Sequence, residues 1–166
     1  MKLYLIRHAI AHDRNAKQWP DDGQRPLTKR GIKRFEPIAA RLGKLAGHID
    51  AVYCSPLVRA TQTAQILARQ AKWPKHEVLP ELEPLCPPAE TLHALSALTP
   101  PPTLALVGHE PMLGKLAAYL LAGPQGKPQF EFKKGGVACL ESANGLRPGA
   151  FSLLWLATPR MIRARK

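Results

Sequence analysis

Short apolar runs recur along this chain, most of them followed by a stretch whose apolar residues return at helical spacing. Lys2–Ile6 reads as a short buried strand, and a polar loop follows through Pro26. Thr28 then offers an N-cap, with Leu27 placed to staple onto Ile32. Ile32, Phe35, Ala39, Leu42 and Leu45 continue on one helical face. Pro37 falls inside this helix and is expected to kink or split it. Ala51–Cys54 is a second strand. Ser55-Pro56 reads as the next helix opening, with Ser as N-cap and Pro at the first helical position. Leu57, Thr61, Ala64, Leu67 and Ala71 would line that helix's apolar face.

The second half repeats the alternation. Glu77–Leu79 is a candidate third strand, Ala89–Leu98 a helix behind Pro87-Pro88, and Thr103–Val107 an apolar strand ending in Gly108-His109. Met112–Leu121 is helical, Gly123–Pro128 a Pro/Gly loop, and Val137–Glu141 and Phe151–Ala157 the last strands. Strands alternating with helices predict an α/β sandwich around a largely parallel sheet. Length and composition agree: 166 residues, 45% of them hydrophobic, suit one globular domain over residues 1–166. The 17 prolines are dispersed and read as loop punctuation. No repeat is visible, and no apolar run approaches the roughly 18 residues of a membrane span. The apolar run Leu3–Ile6 is too short for a signal peptide.

Charge and cysteines narrow the class. A formal net charge of +12 attracts anions: phosphorylated substrates, nucleic acid or acidic proteins. Part of the excess lies in Arg160, Arg163, Arg165 and Lys166, which read as a solvated tail. Cys54, Cys86 and Cys139 are an odd number at unrelated spacings, which points to a reducing, cytoplasmic setting rather than disulfides or zinc. Cys54 reads as a buried structural thiol. Trp19, Trp73 and Trp155 form no stacking array, which argues against a nucleic-acid partner.

In open α/β sheets ligands bind beyond the carboxyl ends of the strands. Three chemically suggestive segments fall there: Arg7-His8, Ser55–Arg59 and Gly108-His109. Alone, Arg-His is a common dipeptide, Arg59 could be a solvated charge, and His109 a satisfied core histidine. Together, two histidines and two arginines at one sheet edge suit a phosphate dianion, because guanidiniums and a helix N-terminus donate to the same anion. A hard cation would want oxygen ligands, and two arginines would oppose a zinc ion's charge.

The motifs are also recognisable. Leu5-Ile6-Arg7-His8-Ala9 resembles the first signature of the histidine phosphatase superfamily, the phosphoglycerate mutase-like proteins. Ser55-Pro56-Leu57-Val58-Arg59-Ala60-Thr61-Gln62-Thr63-Ala64 is similar to the second, and Gly108-His109 to the third. Pro26-Leu27-Thr28-Lys29-Arg30-Gly31 resembles the segment between the first two. The short length resembles the SixA-like branch, which acts on phosphohistidine of signalling proteins. Ala9 stands where the family usually has glycine.

The resemblance implies a three-layer α/β/α fold of the phosphoglycerate mutase type and a hydrolase needing no metal or organic cofactor. It implies a neutral His8 as nucleophile, with Arg7, Arg59 and a protonated His109 holding the phosphoryl oxygens. Glu81, with Glu83 as its alternative, is the candidate acid for the leaving group. A phosphohistidine phosphatase could do without either, since imidazole is a far less basic leaving group than an alkoxide. The expected partner is a phosphorylated protein or a small phosphate-containing substrate, with no membrane and a monomeric state. A phosphatase of small phosphorylated metabolites using the same site is the alternative, and a non-catalytic anion- or nucleic-acid-binding module a third reading. His12 and the basic turn Lys133-Lys134-Gly135-Gly136 are expected to be solvated surface.

Overall fold

The computed structural model describes residues 1–163; Arg165 and Lys166 of the expected tail lie outside the described residues. The apolar run at the N-terminus becomes strand β1 (Lys2–Arg7), with Leu3 to Ile6 all buried. Strands β2 (Ala51–Cys54), β3 (Glu77–Val78), β4 (Thr103–Gly108), β5 (Val137–Glu141) and β6 (Ser152–Ala157) join it in one sheet of order β3-β2-β4-β1-β5-β6. β1, β2, β3 and β4 run parallel; β5 pairs antiparallel with β1 and β6 with β5. The central strands are continuously apolar because both faces are covered.

Alternation along the strands divides the core into two layers. Tyr4 and Ile6 of β1, with Ala105 and Val107 of β4, face helices α1 (Lys29–Ala46), α2 (Val58–Ala71) and α5 (Pro159–Arg163). Leu3, Leu5, Leu104 and Leu106 face α3 (Pro88–Ala97) and α4 (Met112–Ala122). This is the expected three-layer sandwich.

Several local expectations shift. Thr28 does cap α1, its Oγ1 accepting from the Gly31 N–H at 2.8 Å. Pro37 neither ends nor splits that helix, which runs 18 residues with Pro37 on its solvent side. Phe35, Ile38, Ala39 and Leu42 form its buried face, while Leu45 is 57% exposed. α2 starts at Val58, not at Pro56, and Ser55 is not its N-cap. Its buried face is turned from the one expected: Ala60, Thr63 and Ile66 join Ala64 and Leu67, whereas Leu57 and Thr61 are half-buried. Arg160 and Arg163 are exposed as expected but belong to α5, which the buried Ile162 anchors, rather than to a loose tail. No helix among the described residues is long and apolar enough to cross a membrane.

The sheet register matters most for chemistry. Arg7 pairs with Gly108, and Cys54 and Ile6 both pair with Val107. The carboxyl ends of β1, β2 and β4 are therefore level. The His8 N–H donates to Gly108 O and the Ser55 N–H to Val107 O, both at 3.0 Å, and so extend the ladder one residue past the strands.

Candidate active site

That level edge brings together the four residues the spacing singled out. His8 and His109 leave adjacent strands side by side, with ring centroids 5.0 Å apart. Arg59 enters from the first turn of α2, its side chain 3% exposed. Arg7, at the end of β1, donates through Nη1 to the Phe132 carbonyl. Arg7 Nε, Arg59 Nε and His109 Nδ1 are buried and have no hydrogen-bond partner among the described residues. Three unpartnered N–H-bearing positions around two imidazoles are the donor set an oxyanion would complete.

His8 has a defined tautomer. Its Nδ1 lies 2.7 Å from the Ala9 carbonyl, an acceptor only, so Nδ1 carries the proton and Nε2 keeps its lone pair. Ala9 is itself held, its N–H donating to Thr63 Oγ1 at 3.0 Å. It needs no glycine, because its φ is not positive. Gly31 shows why the intervening motif ends in glycine. A Cβ there would run into the Ile10 carbonyl, so α1 can press against the loop that follows His8 only through glycine.

Burial foremost, then the charges of Arg59, Arg7 and Arg25, push the His8 pKa down from 6.5 to about 3; the bond to Ala9 opposes the shift. His109 falls from 6.5 to about 2, through burial first and then His8 and the same arginines. With no anion in the cradle the protein's own groups therefore favour neutral His109, whereas the protonated His109 implied by the resemblance belongs to the phosphate-bound site. Its Nε2 lies 2.9 Å from Ser55 Oγ. Ser55 accepts the Leu57 N–H at 3.3 Å, and its own O–H has no other acceptor among the described residues, so it donates to Nε2. The hydrogen-bond pattern thus assigns the proton to Nδ1, and a neutral His109 can still donate to a phosphoryl oxygen. This also explains the displaced start of α2: Ser55 is fully buried against His109 rather than free to cap.

Residues that the pattern did not reveal hold the cradle. Asp22 Oδ1 accepts from Arg25 Nε at 2.7 Å, and Oδ2 lies 3.3 Å from Arg59 Nη2. The Asp22 carbonyl accepts from Arg59 Nη1 at 2.8 Å. The bond from Arg25, ahead of the other causes, holds the Asp22 carboxyl below its ordinary range. Glu110 Oε1 accepts the Phe132 N–H at 2.8 Å, fixing the segment whose carbonyl binds Arg7. The Lys133–Gly136 turn is docked, not merely solvated: the Gly135 N–H donates to the carbonyls of Arg7 and His8, and Gly136 O accepts the Arg7 N–H. Gly135 has φ +79°, a conformation glycine adopts without strain.

Glu81 lies apart from this network. It is half-buried in a one-turn 3-10 helix, Pro80–Leu82, and its carboxylate makes no hydrogen bond or ion pair among the described residues. With Glu83, Glu90 and Glu110 it lines a neighbouring cavity. Cys54 is fully buried, and burial pushes its thiol up to about 12, which fits the structural reading. No three His, Cys, Asp or Glu side chains gather as a metal site among the described residues.

Comparison with known proteins agrees with this geometry. The family profile described as Histidine phosphatase superfamily (branch 1) matches residues 3–84. Phosphohistidine phosphatase SixA of Escherichia coli (strain K12) is 32% identical over 149 residues, covering 87% of this chain and 89% of that protein. A solved structure of the protein histidine phosphatase SixA complexed with tungstate superposes with a TM-score of 0.81 at 28% identity, over 96% of this chain and 97% of the other. Adenosylcobalamin/alpha-ribazole phosphatase of Salmonella typhi is 36% identical over 84 residues, 49% of this chain but only 39% of that protein.

Proposed function

This chain belongs to the histidine phosphatase superfamily, SixA-like, and from its site we propose that it is a phosphohistidine phosphatase working through a phospho-His8 intermediate. In this reading His8 Nε2 attacks phosphorus. A nitrogen–phosphorus bond forms while the bond to the substrate's imidazole nitrogen breaks, and the departing imidazole takes up a proton. Water then attacks phospho-His8. An oxygen–phosphorus bond forms, the bond to His8 breaks, the water gives up a proton, and inorganic phosphate leaves with His8 neutral again. Arg7, Arg59 and His109 hold the non-bridging oxygens, where charge accumulates in the transition state.

The observation that carries the reading is the orientation of His8: Nδ1 tied to Ala9 O, Nε2 free, the ring kept neutral by burial and arginines. The substrate class rests on two supports. The sequence match to SixA runs nearly end to end, and that to the cobalamin-related phosphatase covers less than half of either protein. In structure both kinds superpose over nearly the whole chain, SixA at a TM-score of 0.81 and a putative alpha-ribazole-5'-P phosphatase at 0.71. Glu81 is not bonded into the cradle, and an imidazole leaving group asks least of a general acid.

A substrate panel tests this. His8→Ala should abolish turnover of an activated aryl phosphate while leaving the thermal transition in place. On the unaltered protein, kcat/KM for a histidine-phosphorylated peptide should exceed that for sugar phosphates. Glu81→Gln should slow ester hydrolysis more than phosphohistidine hydrolysis. A strong preference for a metabolite ester would replace the substrate assignment with the metabolite-phosphatase reading, and turnover surviving in His8→Ala would remove the mechanism.

A further inference from the structure

The cradle has two unlike flanks. On the side of α3 lies the cavity lined by Glu81, Glu83, Glu90 and Glu110, with Arg14 as its one cation. On the side of α1 and α5 lies a groove of about 410 Å³ rimmed by Arg34, Lys133, Lys134, Arg160 and Arg163, with no acidic residue in its lining among the described residues. Lys133 pairs with Glu131 at 2.6 Å. The other four cations have no carboxylate within ion-pair distance among the described residues. Arg163 also borders an adjoining cavity with Arg41 and Lys44, so the basic surface continues along α1.

This groove adjoins the backbone segments that hold the cradle, although none of the four cradle side chains lines it. Its wall includes Ala9, whose carbonyl orients His8, and Gly135, whose N–H binds the carbonyls of Arg7 and His8. An occupant of the groove therefore lies against the segments that orient His8 and brace Arg7. Four unpaired cations gathered in one concave surface repel one another, a cost that an anionic occupant removes. The lining offers no platform for stacked bases, since its one aromatic, Phe35, is 1% exposed.

We propose that the groove docks acidic side chains of the phosphorylated protein whose phosphohistidine enters the cradle, an inference that rests on the phosphohistidine reading above. The contrast between flanks orients such a partner, its acidic edge over α1 and α5 and away from the glutamate-lined cavity.

Two histidine-phosphorylated peptides of equal length test this, one with glutamates and one with glutamines flanking the phosphohistidine. The unaltered protein should favour the glutamate peptide about tenfold in kcat/KM at low ionic strength, through KM, with the advantage shrinking as salt is added. Arg34→Glu/Arg160→Glu should erase that preference while leaving the glutamine peptide and an aryl phosphate unchanged. The milder Arg34→Gln/Arg160→Gln pair should reduce it by an intermediate amount, and serves if the reversal fails to fold. Equal rates on both peptides, or a preference that survives the substitutions, would overturn the docking site alone. Binding to anionic vesicles or an RNA oligonucleotide that is lost in the reversal variant, with no peptide preference, would assign the groove to another partner. If neither peptide is dephosphorylated while an ester is, the phosphohistidine reading fails first and the docking site with it.

Discussion

Ser55 is the most informative single position to change, because it acts on the reaction only through His109. In Ser55→Ala the imidazole keeps its place but loses its partner at Nε2, 2.9 Å away. Ser55 is fully buried, so water does not replace the hydroxyl. A buried acceptor left without a donor costs about 1–3 kcal/mol. For a chain of this size that lowers the thermal midpoint by roughly 2–4 °C per kcal/mol. The kinetic effect should be larger in proportion. Losing one oriented donor to transition-state charge costs about 10²–10³ in kcat. Alanine removes only the constraint that keeps the proton on Nδ1, so a tenth or so of that loss is expected, about 10- to 100-fold in kcat. KM should change little, since both arginines still bind the ground state. Calorimetry and steady-state kinetics on an aryl phosphate give both quantities, and 15N chemical shifts of His109 report the tautomer directly. A folded Ser55→Ala protein with kcat within twofold of the parent, or a parent His109 protonated on Nε2, would refute the reasoning.

Two further outcomes follow from the electrostatics of the site. Both histidines are depressed from 6.5, so below that pH the unfolded chain binds protons that the folded one refuses. Their contribution to stability is complete above about pH 6.5 and declines as pH falls toward about 3; from about pH 7 to pH 5 each should cost roughly 2 kcal/mol, read as a falling urea midpoint that His109→Gln lessens. Asp22→Asn leaves two buried guanidiniums without their carboxylate, which is itself partly exposed, so a loss of about 1–2 kcal/mol is expected rather than the larger cost of a fully buried pair. Inhibition by tungstate should weaken several-fold in the same variant as Arg59 loses its alignment, and a full-strength inhibitor constant would show that Asp22 does not position Arg59.

The strand-end positions of the cradle were legible because the central strands are buried on both faces and so read as uninterrupted apolar runs. Arg7-His8, Ser55 and Gly108-His109 stand immediately beyond such runs. What failed was local reasoning about groups whose partners are distant in the chain. Ser55 before Pro56 carries a strong helix-cap signal, yet a histidine 54 residues away claims its hydroxyl. Asp22 and Arg25 sit in a polar loop with no periodicity, and only the folded chain shows Asp22 reaching Arg59, 37 positions on. The turn at Gly135 was visible as a turn, but its bonds to Arg7 and His8 are set by the pairing of β5 with β1. Pro37 stayed within α1 because it lies on the solvent side.

The electrostatics of the cradle follow one logic. Three guanidiniums, Arg7, Arg25 and Arg59, surround the two imidazoles, and Asp22 is the one carboxylate among the described residues bonded to any of them. Burial first, and then that imbalance, makes a further positive charge on His109 costly and keeps His8 unprotonated well below neutral pH. A phosphoryl dianion reverses the balance when it arrives. In the proposed mechanism it lies against the arginines, raises the basicity of both imidazoles and meets the proton assigned to His109 Nδ1. In that reading the excess charge that adds to burial in suppressing protonation of the histidines also binds the substrate. Weakening it by removing a guanidinium should loosen phosphate binding and let His8 protonate more readily, and both changes act against turnover.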